Sequence, residues 1–216
     1  MVVVGYISPI ISGLRITNGD ATGLGGVGGH DAGGGVYAMD SAPTMRDNRV
    51  FDNSAEDGGG LCLYDSAATL RGNTITSNTA SQDGGGLSLY DGGATLNANT
   101  VTSNTANTGG GLSVGITVAA GNTATLVGTL WYSNTEDWGG AGAVVTGTHN
   151  YWGDPRFEAD GFHLMEGSAA IDVGVEAGVP NDVDGERRPR GLAPDLGADE
   201  GAGTNIYLPA VLRNSP

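Results

Sequence analysis

The sequence contains no lysine, so its nine basic residues are all arginine, and they face 24 acidic residues for a formal net charge of −15. Such an acidic balance argues against nucleic acid and anionic membrane surfaces as partners. Aromatic residues make up 6% and charged residues 15% of the chain, a composition that fits neither a helical bundle nor a disordered acidic tail. No apolar run approaches the roughly 20 residues of a membrane span, so membrane insertion is not expected.

Cysteine is nearly absent as well. Cys62 stands alone, which excludes an intrachain disulfide. The alternation of its strand directs the side chain outward, between Tyr37 and Ser88 of neighbouring repeats. The sequence therefore predicts a small residue in a surface row rather than a reactive thiol.

Glycine, in contrast, contributes 40 of the 216 residues, without the every-third-residue pattern of collagen. The triplet Gly-Gly-Gly followed by an aliphatic residue begins at Gly33, Gly58, Gly84 and Gly109, at steps of 25, 26 and 25 residues. A fixed period in this range indicates stacked structural repeats.

Each repeat carries three short apolar runs that alternate with a period of two, as strands with one buried face do. Turn-forming Gly, Asn, Asp and Ser separate the runs, and no run has the length or spacing of a helix. Three short strands in about 25 residues predict one coil of a parallel β-helix, an all-β solenoid whose core forms by stacking. Its buried column should contain Leu61, Leu63, Leu70, Ile75, Leu87, Leu89, Leu96 and Val101.

Polar residues recur in columns at the predicted corners and on one flat face. Asparagine forms two columns, Asn48, Asn73 and Asn99, and Asn18, Asn53, Asn78, Asn104 and Asn134. Asparagine tolerates the left-handed conformation of a sharp corner, and its amide can hydrogen-bond the next amide in a stack, so both columns are interpreted as structural. A third column, Asp40, Asp65 and Asp91, predicts solvated carboxylates at turns. Paired threonines are expected to face outward: Thr74, Thr76, Thr100 and Thr102.

From Asn150 onward the repeat gives way to four phrases of another kind. They read NYWGDPRF (150–157), GFHLMEGSAAIDVG (161–174), DVDGERRPRG (182–191) and PDLGADE (194–200). Together with the upstream coils, they resemble the bacterial choice-of-anchor Q proteins over nearly the whole chain. The resemblance implies a right-handed parallel β-helix of the pectin-lyase-like class that is secreted or attached to the cell surface. We therefore expect coils in residues 1–148, and an irregular C-terminal cap with an apolar tail strand in residues 149–216.

The N-terminus bears on the same expectation of a secreted protein. Its first 13 residues lack the basic region that precedes the apolar stretch of a signal peptide. We therefore expect a mature or trimmed form of the protein.

Acidic residues near the C-terminus suggest a metal site. Asp182, Asp184 and Glu186 alternate around Gly185 as hard oxygen ligands in a Ca²⁺ loop do. Further ligands could come from Asp195, Asp199 and Glu200. The alternative is that these acids pair with Arg187, Arg188 and Arg190 in a compact cap, so Ca²⁺ is a candidate cofactor and no other is predicted.

Enzymatic activity is not expected from the residues. Glycoside hydrolases on this fold need clustered carboxylates for acid and base roles, and the chain has no Asp-Asp pair and no Gly-His-Gly. The histidines His30, His149 and His163 are scattered, and each fits loop or cap packing better than catalysis. A carbohydrate-active or carbohydrate-binding β-helix remains the alternative, because the fold alone does not decide function.

Both ends of the chain are apolar, which predicts self-association. Unpaired strand edges at the open ends of a β-helix invite added strands. The residues expected at such contacts are Val2, Val3, Val4, Ile7, Ile206, Tyr207, Leu208, Val211 and Leu212. We predict a structural or adhesive solenoid at the cell surface that assembles head to tail, with other copies or cell-surface components, glycans included, as partners. A Ca²⁺-stabilised adhesion module is the second alternative.

Overall fold

The computed structural model describes residues 2–115, 122–140 and 144–201. Three six-stranded sheets run along the described part of the molecule, and every pair of neighbouring strands is parallel. The first sheet contains β1 (Val2–Gly5), β4 (Val36–Met39), β8 (Leu61–Tyr64), β12 (Leu87–Tyr90), β15 (Leu112–Val114) and β18 (Trp138–Gly139). The second contains β2 (Ile10–Ser12), β5 (Thr44–Arg46), β9 (Ala67–Arg71), β13 (Gly93–Asn97), β16 (Thr123–Val127) and β19 (Val144–Thr148).

The third sheet contains β3 (Arg15–Thr17), β6 (Arg49–Phe51), β10 (Thr74–Thr76), β14 (Thr100–Thr102), β17 (Leu130–Tyr132) and β20 (Tyr151–Trp152). The prediction of an all-β solenoid of stacked parallel coils is thus confirmed. Two of the coils carry an additional fourth strand, β7 (Ser54–Asp57) and β11 (Thr79–Asp83), which the sequence did not indicate. A single 3-10 turn spans Val27–Gly29, and the described residues contain no helix long and apolar enough to cross a membrane.

The core lies between the three sheets. All eight residues predicted for the buried column are at most 1% exposed, and they belong to one cluster. Leu87 pairs in register with Leu61 of the preceding coil and Leu112 of the following coil, so identical side chains stack along the axis. Fully burying such a side chain contributes about 1.5–3 kcal/mol, which makes this column the main source of stability.

The glycine triplets mark the place where neighbouring coils approach most closely. A Cβ atom on Gly59 would lie 2.3 Å from the carbonyl oxygen of Thr79, and one on Gly60 would lie 2.5 Å from that of Gly86. Contacts this short leave no room for any side chain. The repeat of Gly-Gly-Gly therefore follows from coil stacking.

Two asparagine ladders run through the interior beside the core. In one, Asn48 donates its side-chain amide to Asn73, and Asn73 donates to Asn99, each at 3.0 Å. The other joins Asn53, Asn78, Asn104 and Asn134 at 2.9–3.0 Å. The predicted ladders are correct except at Asn18, which is exposed because the register of β3 places Gly19 opposite Asn53.

The left-handed corner conformation belongs to the residue before each ladder asparagine, not to the asparagine itself. Asp47, which precedes Asn48, has φ of 54°, and Ser77, which precedes Asn78, has φ of 56°. The preceding residue makes the bend, and the asparagine can then turn its amide into the stack. The predicted aspartate column also occupies left-handed corners, with φ of 47–49° at Asp40, Asp65 and Asp91.

Cys62 departs from its predicted surface position. It lies in register between Tyr37 and Ser88, as expected, and faces away from the main core. Yet it is fully buried, in a second cluster with Ala32 and Tyr37. Partly buried tyrosines and a long loop cover this outer face, and the burial raises the pKa of the Cys62 thiol.

Residues 154–201, here called the side segment, pack along the outside of the third sheet. Gly197 donates its N–H to the carbonyl of Gly128 at 2.9 Å, and Ala198 donates to the hydroxyl of Thr100 at 2.9 Å. Leu164, Ala170 and Leu196 form a third apolar cluster with Leu130 of β17. Thr100 and Thr102 point outward as predicted, but they are only 1% exposed, since they belong to the sheet that this segment covers.

Candidate functional site

Arg49 of β6 ties the side segment to the third sheet. Its guanidinium donates to Asp184 Oδ1 at 2.6 Å and lies 4.3 Å from the centre of the Phe162 ring. Arginine suits this place because its planar charged group can stack on a ring and donate a hydrogen bond at the same time. One side chain thereby fixes two separate loops of the side segment.

Next to this contact, His163 lies among three carboxylates. Its Nδ1 faces Asp160, its Nε2 faces Asp184, and Nε2 lies 4.0 Å from Asp199 Oδ1. Burial lowers the pKa of His163, but the hydrogen bonds to Asp184 and Asp160 outweigh it and raise the pKa above its usual value. The arrangement attracts positive charge, either a proton on the ring or a cation beside it.

Asp199 is the buried member of this group. Burial raises its pKa to about 6, although the N–H of Leu164, which donates to Oδ2 at 2.7 Å, acts in the opposite direction. One potential ligand atom from each of His163, Asp184 and Asp199 lies within 4.8 Å of the others. The amino-acid sequence does not link His163 with Asp184 and Asp199, because they lie 21 and 36 residues further along the chain and no spacing motif joins them.

The six residues named as candidate Ca²⁺ ligands are placed differently from one another. The carboxylate of Asp182 accepts backbone N–H groups from Asp184 and Glu186 at 3.0 and 2.7 Å, which closes a tight loop. The carboxylate of Asp195 accepts the N–H of Gly201 at 2.7 Å on one oxygen and a second backbone N–H on the other. Of the six, Asp184 and Asp199 belong to the group around His163 in the described part of the chain.

The predicted alternative, pairing with arginines, is present in the same region. Arg188 and Glu200 form an ion pair at 3.0 Å with both side chains at most 2% exposed. Arg188 also donates to the carbonyl of Gly197 at 2.7 Å, and Arg190 pairs with Glu186 at the surface. Removing one partner of this pair would leave an uncompensated buried charge, which is strongly destabilising.

A half-open groove lies between the third sheet and the side segment. Its floor includes Arg15, Phe51 and Thr76, and residues 159–162 form one wall. The Arg15 guanidinium lies 5.1 Å from the centre of the Phe51 ring. On the wall, burial raises the pKa of Asp160, but hydrogen bonds from His163 and Phe162 outweigh it and hold the pKa below its usual value. An ionised carboxylate of this kind is a poor proton donor for glycoside hydrolysis.

The first coil presents apolar side chains to solvent. The exposed fractions are 77% for Tyr6, 58% for Ile7, 64% for Ile10 and 47% for Leu14. The strands β1, β2 and β3 each stand at the end of their sheet, so one edge of each has no strand partner in the described part of the chain. Among the residues predicted to mediate assembly, Ile7 is thus exposed. The structure describes the backbone of Val2, Val3 and Val4 but not their side chains. The predicted tail strand, residues 206–212, lies outside the described residues.

Comparison with known proteins gives one match. A family model described as "Right handed beta helix region" matches residues 3–131, from β1 into β17. Neither the curated proteins nor the solved structures contain a match to the chain.

Proposed function

Because this chain belongs to the right-handed β-helix family, we propose that it is an extracellular, non-enzymatic β-solenoid with a structural or adhesive role at the cell surface. The family shares a fold whose members differ in function, so the proposal rests on surfaces of this chain. The observation that supports it is the first coil, where three strand edges without a partner among the described residues coincide with exposed Tyr6, Ile7, Ile10 and Leu14. The resemblance to choice-of-anchor Q proteins agrees with a location outside the cell.

The proposed mode of association is head to tail. Strand edges offer backbone N–H and C=O groups to an added strand, and the apolar side chains beside them add contact area. The acceptor end of one molecule differs from the donor end of the next, so the contact is heterologous and propagates into a filament unless a ring closes. Such a filament is a structural element in itself, and its repeated faces provide sites for adhesion.

Light scattering and electron microscopy over a range of protein concentrations test this proposal. The wild type should form oligomers or filaments, and the double substitution Ile7→Asp and Ile10→Asp should leave monomers, because charges at the edge block strand addition. Leu192→Asp is the matched control, since Leu192 is 71% exposed but lies in the side segment. A wild type that stays monomeric at every concentration would refute the proposal.

The tail strand is tested separately. A chain that ends at residue 203 should remain folded, because the coils keep their own core, but should no longer assemble if residues 206–212 are the donor strand. Continued assembly of this shortened chain would show that another part of the molecule is the donor.

Carbohydrate binding is a second candidate function, and the groove beside the third sheet favours it. Exposed Arg15 and half-buried Phe51 line a cleft together with the hydroxyl groups of Thr76, Ser77 and Ser103. An aromatic ring can stack on the C–H face of a sugar, while guanidinium and hydroxyl groups hydrogen-bond its oxygens. Calorimetry with a panel of soluble polysaccharides should show binding that Phe51→Ala weakens and that Thr125→Ala, on the second sheet, leaves unchanged. Equal heats for both variants would exclude this groove.

A further inference from the structure

We propose that His163, Asp184 and Asp199 form a binding site for a divalent transition-metal ion, with Zn²⁺ the ion best suited to it. The site is independent of the proposed assembly, because it lies on the side segment and not on the first coil. Each of the three residues contributes one ligand atom, and the three atoms lie within 4.8 Å of one another.

The orientation of the imidazole ring supports the assignment. Nδ1 of His163 is engaged by Asp160, which leaves Nε2 directed towards Asp184 and Asp199. Histidines that bind metals usually donate their other ring N–H to a carboxylate, which fixes the tautomer and aims the free nitrogen at the ion. Asp160 therefore acts as a positioning residue.

Asp199 provides an independent observation. Its side chain is only 8% exposed, and Oδ2 accepts the N–H of Leu164 at 2.7 Å. The second oxygen, Oδ1, has no hydrogen-bond donor among the described residues, and Nε2 of His163 at 4.0 Å is beyond hydrogen-bond distance. An ion placed between Oδ1 and Nε2 would give Oδ1 a partner and would take the place of the proton through which Nε2 contacts Asp184.

The donor set selects the class of metal. Calcium takes oxygen ligands, whereas one imidazole nitrogen with two carboxylate oxygens suits Zn²⁺ and related ions. Three protein ligands leave a fourth position for water. Asp184 is 39% exposed, so the ion can enter from solvent and the site is not sealed inside the protein.

The position of the site indicates what a bound ion would do. It would join three loops of the side segment, at residues 160–163, 184 and 199. Through the contact between Asp184 and Arg49, the loops are also tied to β6 of the third sheet. Because the ion binds only the folded arrangement, it should stabilise the packing of the side segment on the solenoid.

Titration of chelator-treated full-length protein tests the proposal. Calorimetry with Zn²⁺ should show one ion per chain, and Co²⁺ should give the visible absorption bands of a nitrogen- and oxygen-bound ion. Asp184→Asn and His163→Gln should each weaken Zn²⁺ binding at least tenfold, and Asp160→Asn should weaken it by about 10–100-fold as the loss of a positioning carboxylate does. Glu158→Gln, an exposed acid in the same loop, is the control and should bind as the wild type does.

Asp199→Asn tests the buried ligand, with circular dichroism as a check on its folding. Should this variant fail to fold, Asp184→Asn decides the question, because its side chain is partly exposed. The proposal is overturned when the wild type shows no saturable Zn²⁺ binding, when Asp184→Asn binds as tightly as the wild type, or when Ca²⁺ binds and Zn²⁺ does not. Lack of binding would leave a protonated His163 as the group that joins the three carboxylates.

Discussion

Removing one amide from the middle of an asparagine ladder should destabilise the protein as much as a large cavity does. Asn78 is 0% exposed and makes four hydrogen bonds through its side chain. Its oxygen accepts the backbone N–H and the side-chain amide of Asn53, at 3.1 and 2.9 Å. Its amide nitrogen donates to the carbonyl of Val50 and to Asn104 Oδ1, each at 3.0 Å.

The substitution Asn78→Ala removes a hydrogen-bond partner from two buried backbone groups, the N–H of Asn53 and the carbonyl of Val50. Each buried group that loses its partner costs about 1–3 kcal/mol, so the free energy of unfolding should fall by about 2–6 kcal/mol. Urea denaturation followed by circular dichroism measures the change. The control is Asn107→Ala, an exposed asparagine with one side-chain hydrogen bond, which should change stability by about 0.5 kcal/mol or less.

An isosteric variant separates hydrogen bonding from volume. In Asn78→Asp an oxygen replaces the amide nitrogen and faces two other acceptors, so the charged form is strongly disfavoured in the folded state. The pKa of the new carboxyl should be raised, and stability should therefore be lost as the pH rises and regained on acidification. A loss below about 1 kcal/mol for Asn78→Ala, or one equal to that of Asn107→Ala, would refute the structural role of the ladder.

Three further predictions follow from burial. Leu87→Ala should lower the free energy of unfolding by about 2–5 kcal/mol, because the side chain is 1% exposed. Leu192→Ala is the control and should lower it by about 0.5 kcal/mol or less, because Leu192 is 71% exposed. Similar urea midpoints for the two variants would contradict the core assignment. Cys62 should not react with a thiol reagent until denaturant is added, and rapid labelling of the native protein would contradict its burial. Burial raises the pKa of Asp195 to about 7, so the folded state binds a proton that the unfolded state has released above about pH 4. Stability should therefore fall as the pH rises from about 4 to about 7, and Asp195→Asn should make this slope smaller, since Asp199 and His163 also contribute to it.

The fold could be predicted from the sequence because coil stacking imposes the same residue at the same step. Leu61, Leu87 and Leu112 are in register since each must fill the same layer of the core. The same holds for the Gly-Gly-Gly corner, where no side chain fits. Both requirements arise from contacts between neighbouring coils, so they recur in the sequence with a period of about 25 residues.

The predictions from sequence were wrong at residues whose surroundings are not determined by the 25-residue repeat. Cys62 alternates like a surface residue, but tyrosines from adjacent coils and a loop around Ala32 bury it. Asn18 lies one residue before the position opposite Asn53, and a shift of one residue turns a side chain to the other face of a strand. Spacing alone cannot resolve such a shift, whereas the register of β3 against β6 does.

The candidate metal site could not be predicted from the sequence, because the repeat pattern does not connect its residues. Its parts come from three loops of the side segment, and its link to the solenoid joins Arg49 to Asp184, which are 135 residues apart. No repeat connects such residues, so the sequence drew attention to Asp184 and Asp199 among several acids but not to His163. The repeated positions are constrained by stacking and have little freedom to encode a specific function. Function in this protein is therefore to be sought where the repetition ends: on the first coil, in the groove, and in the side segment around His163.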